Sequence, residues 1–118
     1  MKTELYLKSD YINTTIDDGV WCYDVKKHEV VLVDYDRNFV SGEPTNPNII
    51  LFPFENDLVG VAEVARMLET EYGVDLGIYR RGVVQRIHDL GFYENFSALR
   101  SDLLENRFRK WWEENIPA

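Results

Sequence analysis

Asp34, Asp36 and Asn38 stand at the D-x-D-x-N spacing that opens a calcium loop, where carboxylate and amide oxygens converge on one hard cation. The remainder of that loop is wrong for the metal. Phe39 occupies the sharp-turn position that requires glycine, and Thr45 the position of the bidentate glutamate. An acidic turn after a strand is therefore expected here. Zinc needs clustered Cys and His, whereas Cys22, His28 and His88 are isolated from one another in the sequence. No metal and no cofactor is expected.

Covalent chemistry finds no better footing. Cys22 lies inside an apolar run and reads as a small buried hydrophobe rather than a thiolate. Ser9, Ser41, Ser97 and Ser101 lack the strand-turn-helix context of a nucleophile elbow. Gly73, Gly77 and Gly82 form neither a dinucleotide fingerprint nor a P-loop. The paired acids Asp17-Asp18 and Glu113-Glu114 are expected to be solvated charge, and His88 to stabilise a helix end. The chain is thus read as non-enzymatic. A site built from Cys22, His88 and a carboxylate distant in sequence is the enzymatic alternative.

Two groups of residues point to binding instead. The first is acidic and aromatic: Asp17, Asp18, Trp21, Tyr23, Asp24, Asp34, Tyr35 and Asp36. Asp24 and Asp34 are placed on the second face of a strand pair, with the other acids flanking them. Carboxylates beside rings suit a basic protein partner, with charge steering the encounter and rings anchoring it. The second group, Arg80, Arg81 and Arg86, offers phosphate binding and with it the alternative function, a nucleic-acid-associated regulatory protein using the arginine-bearing C-terminal helices. Nearby acids such as Asp89 and Glu94 make helix-surface ion pairs the simpler expectation for those arginines.

Charge supports the first group. The net charge is −8, and it is uneven. Residues 1–60 carry 11 acids and 5 bases, and residues 61–118 carry 10 acids and 8 bases. Such a surface repels nucleic acids and anionic membranes and attracts basic partners. One cysteine excludes an intrachain disulfide, and the sequence has neither a membrane-length apolar run nor a signal-like N-terminus. A cytoplasmic monomer or homodimer is expected.

The elements that must position these residues divide by half. Gly19 to Val25 and Glu29 to Tyr35 are rich in β-branched and aromatic residues, with Lys26-Lys27-His28 as a hairpin turn. Thr3 to Lys8 is a weaker strand candidate. Asp36 to Asn48 reads as a loop, and Ile49 to Phe52 as a short edge strand stopped by Pro53. Beyond residue 55 the apolar period becomes helical. One helix is expected from Asn56 or Asp57 to Tyr72, with Leu58, Val61, Ala65, Leu68 and Tyr72 inward. A second should span Tyr79 to Leu90, with Val83, Val84, Ile87 and Leu90 inward. A third should run from Tyr93 to Glu114, with Phe96, Leu99, Leu103, Leu104, Phe108, Trp111 and Trp112 inward. Strands followed by helices imply an α+β fold, a small antiparallel sheet packed against about three helices in a single domain over 1–118.

Several of these segments resemble Uncharacterised Protein Family 0158 of bacteria. Trp21 to Val31 is similar to that family's hairpin, with Lys27-His28 where its turn usually has Thr-Gly. Gly82 to Leu90, Phe96 to Arg100 and Trp111 to Ile116 resemble three of its C-terminal segments in the same order. The resemblance implies architecture and a bacterial or phage origin. It brings no activity and no catalytic residues.

Overall fold

The computed structural model describes residues 11–77 and 81–117. It is an α+β protein. Strands β1 (Gly19–Asp24) and β2 (Glu29–Asp34) form an antiparallel hairpin in which Gly19 faces Asp34 and Asp24 faces Glu29. Strand β5 (Ile49–Leu51) adds to the other side of β1, also antiparallel, giving the order β2-β1-β5. The candidate strand Thr3 to Lys8 lies outside the described residues.

The segment expected to be a loop contains structure. Asp34 caps a single helical turn, α1 (Tyr35–Asn38), by accepting from the Arg37 N–H at 3.3 Å. Strands β3 (Phe39–Val40) and β4 (Glu43–Pro44) then pair across Ser41-Gly42. Both turn residues have positive φ, 53° and 80°. That is the two-residue turn whose twist matches a hairpin.

The helical half departs from expectation at its start. The first helix is interrupted: α2 (Glu55–Leu58) stops, Val59 and Gly60 intervene, and α3 (Val61–Tyr72) begins with Gly60 in an extended conformation as its cap. Asn56 and Asp57 thus lie within α2 rather than capping the long helix. Val64, Ala65 and Leu68 fill the core from α3, while Tyr72 is largely exposed. Gly73 ends the helix in the left-handed region at φ 65°. Among the described residues helix α4 spans Val83–Asp89, with Gly82 before it at φ 80°; the expected start at Tyr79 lies outside the described residues. Only Ile87 is buried from it, and Val84 and Leu90 face solvent. Helix α5 (Tyr93–Asn115) follows its expected span.

The chain forms two compact units, 1–58 with 105–118, and 59–104. The second half of α5 lies in the sheet's unit, and α3 and α4 lie in the other. In the sheet's unit side chains pack on both sheet faces. On one, Val20 and Cys22 pack with Phe39, edged by Val31, Val33, Tyr35 and Leu51. On the other, Phe52 meets Phe108, Trp111 and Trp112 at ring-centroid distances of 5.4 to 5.6 Å. Tyr23 meets Trp112 edge-on at 5.2 Å. In the second unit Val64, Leu68, Leu76, Ile87 and Phe96 are buried.

Candidate functional site

The hairpin register decides which acidic residues can act together. Side chains directly opposite in an antiparallel pair share a face. Asp34 lies opposite Gly19, on the Trp21 and Tyr23 face, whereas Asp24 lies on the Val20 and Cys22 face at the far end. Five strand steps separate those ends, about 17 Å. The expectation that Asp24 and Asp34 share one surface is corrected by this register.

Asp24 is also not a surface group. It is only 8% exposed, and its Oδ1 accepts from the Lys26 and Lys27 N–H groups at 3.0 and 3.1 Å. The carboxylate thereby ties down the turn that follows, which ends with His28 at φ 54°. Tyr23 is 6% exposed and belongs to the aromatic core. Trp21 is half-buried, with Tyr11 edge-on to its ring at 5.1 Å. Tyr35 is half-buried and stacked on Phe39 at 4.8 Å. The rings expected to anchor a partner therefore serve the fold.

What remains on the outside is one end of the hairpin. The Tyr35 N–H donates to the Asp18 carbonyl at 3.2 Å, extending the ladder one step past Gly19 and Asp34. This step brings the backbone of Asp18 to the same end of the hairpin as Asp34, with their side chains on alternate faces, and Asp17, Asp18, Asp34 and Asp36 are all exposed there. Asp34 forms an ion pair with Arg37 at 3.7 Å. Asn38 Nδ2 donates to the Asp34 carbonyl at 2.7 Å. Asp34 and Asn38 of the D-x-D-x-N triplet thus build the cap of α1. Leu32, 62% exposed, lies next to these acids on the same strand. Among the described residues, no three His, Cys, Asp or Glu side chains are grouped to hold a metal ion.

Asn13 is a residue that sequence reasoning missed. It is buried, and its side chain inserts where β5 ends beside β1. Its Oδ1 accepts from the Trp21 N–H at 2.7 Å, and its Nδ2 donates to the Trp21 and Phe52 carbonyls at 3.0 and 3.1 Å. Its backbone donates to the Pro53 carbonyl and accepts from the Glu55 N–H.

The other candidates are placed as follows. Cys22 is fully buried, and loss of solvation pushes its thiol from 9.0 up to about 12. A thiol so held is a poor nucleophile at neutral pH. His88 is exposed and stacks on Tyr93 at 3.9 Å. Arg81 and Arg86 line a cleft of about 350 Å³, but Asp75 and Asp89 line it too. Instead of the expected ion pairing, the Arg86 Nε donates to the Asp75 carbonyl at 3.2 Å, and Asp89 accepts from Gln85 at 2.9 Å. Arg80 lies outside the described residues. Among the described residues no helix is long and apolar enough to cross a membrane.

No family model, no curated protein and no solved structure matches this chain.

Proposed function

We propose that this chain is a small non-enzymatic binding protein that engages a basic protein partner through the acidic end of its hairpin. One observation carries the reading. The Gly19–Asp34 pairing and the Tyr35–Asp18 hydrogen bond bring the segments that carry Asp17, Asp18, Asp34 and Asp36, all exposed, to one end of the hairpin, where Leu32 is exposed as well, and this supports the reading. Carboxylates at a rim accelerate encounter with a cationic surface, and an adjacent apolar side chain adds contact area. The net charge of −8 acts in the same direction. Phosphate recognition by Arg81 and Arg86 is the weaker reading, because two aspartates share their cleft.

The test is co-purification from the native host, comparing the wild type with a D17N/D18N/D36N variant and with a control neutralising Asp102, Glu113 and Glu114. A basic protein should be retained by the wild type and the control and lost by the hairpin variant. Equal retention by all three would overturn the reading. So would retention of nucleic acid that depends on Arg81 and Arg86.

A further inference from the structure

The hairpin face that carries Trp21 changes character along its length. At one end Tyr23 packs edge-on to Trp112 and is buried. Toward the other end Trp21 lies opposite Leu32, and Gly19 opposite Asp34, so these four residues share the face. Trp21 turns its N–H and carbonyl to Asn13 and Phe52, away from β2. Trp21 and Leu32 therefore form a non-hydrogen-bonded pair, the kind that brings opposed side chains closest. Leu32 is 62% exposed and leans over Gly19, which adds no side chain of its own. Trp21 is half-buried, so its contact with Tyr11 leaves part of its surface unused. Asp34, two residues along from Leu32, has a side chain 48% exposed.

An apolar shelf that ends in a carboxylate suits one long cation, and its chemistry favours arginine. The arginine stem covers apolar surface while its head stays in water. The planar guanidinium stacks on an aromatic ring and also meets a carboxylate, whereas a lysine ammonium is compact and strongly hydrated. Asp17, Asp18 and Asp36, exposed at the same end, draw cations toward it. The chain already holds an arginine against this carboxylate. The Arg37 Nε lies 3.7 Å from the Asp34 Oδ2, beyond hydrogen-bond distance, and the Arg37 side chain is 86% exposed. So loose and exposed a pair is readily displaced. The Asp34 Oδ1 meanwhile accepts from the Arg37 N–H, which fixes the carboxylate in place whatever cation sits beside it.

We infer that Leu32, Trp21 and Asp34 seat an arginine side chain of a basic protein partner, and that this arginine displaces Arg37 from Asp34. The inference rests on the basic-partner reading and names the side chain that such a partner presents.

The test is a titration of the full chain with a short peptide of Gly-Arg repeats and with its Gly-Lys counterpart, followed by nuclear magnetic resonance. The arginine peptide should bind about fivefold tighter than the lysine peptide, and its shifts should centre on the Leu32 methyls and the Trp21 indole N–H. Leu32→Thr keeps a strand-forming residue and should remove the preference for arginine. Asp34→Asn keeps the oxygen that caps α1 and should weaken binding about fivefold. Arg37→Ala should tighten binding about two- to fivefold, and only while Asp34 is present. Equal binding of the two peptides overturns the inference, as do shifts that avoid Leu32 and Trp21. An Arg37→Ala gain that persists beside Asp34→Asn also overturns it, since long-range charge then replaces displacement. The basic-partner reading fails separately, when the wild type retains no basic protein from the host. A partner lost by the D17N/D18N/D36N variant but held equally by Leu32→Thr and Asp34→Asn keeps that reading and overturns only the arginine seat.

Discussion

The Asn13 carboxamide binds both backbone polar groups of Trp21, accepting from the N–H at 2.7 Å and donating to the carbonyl at 3.0 Å. One side chain thus does the work of a strand neighbour. It does so where the β1–β5 ladder opens, since the Phe52 N–H still reaches the Trp21 carbonyl at 3.1 Å while the Phe52 carbonyl turns to Asn13.

Removing that amide leaves a buried N–H and a buried C=O without partners, at about 1–3 kcal/mol for each. Asn13→Ala should therefore destabilise the fold by about 2–6 kcal/mol. Urea unfolding should show a lower midpoint at unchanged slope.

Asp24 acts through its acceptor oxygen. Asp24→Asn keeps an acceptor for the Lys26 and Lys27 N–H groups and should cost only a few tenths of a kcal/mol, whereas Asp24→Ala should cost about 1 kcal/mol. Neither change should alter retention of a basic partner, which separates Asp24 from Asp17 and Asp18. Thermal melts and the co-purification assay check the two halves of this expectation.

Cys22 makes stability depend on pH in the alkaline range. Its thiol is raised from 9.0 to about 12 in the fold, so between those values the unfolded chain has lost a proton that the folded chain keeps. Stability from this group is complete below pH 9 and falls as pH climbs toward 12. Cys22→Ala should flatten that part of the profile relative to the wild type. A thiol reagent at neutral pH should modify the wild type only after denaturant is added.

Two turns hold non-glycine residues at positive φ, His28 at 54° and Ser41 at 53°. Each carries a steric cost of roughly 1 kcal/mol that glycine avoids and asparagine reduces. Ser41→Asn creates Asn-Gly at a two-residue turn, the preferred pair there. His28→Gly and Ser41→Asn should each raise the melting temperature, measurable by circular dichroism.

Much of the fold was legible because its signals are local. Alternating β-branched residues mark β1 and β2, and the spacing of Phe96, Leu104, Phe108 and Trp112 marks α5. Other features depend on relations that no short window contains. Asn13 finds Trp21 and Phe52 across 8 and 39 positions, so in sequence it is only a polar residue between Ile12 and Thr14. The acidic group was half legible. Its residues could be named, but the strand register separates Asp24 from Asp34 and puts Asp18 at the same end of the hairpin as Asp34. The break at Val59 and Gly60 escaped because apolar residues continue at helical spacing across it.

Gly19 sits diagonally across the hairpin from Leu32, and a methyl group there would lie 3.0 Å from the leucine Cγ. The bare backbone gives that side chain a seat on the strand. Alanine at 19 would tip the leucine outward, altering the profile the molecule shows to whatever approaches. A residue that itself touches no visitor therefore sets the contour of the doorway.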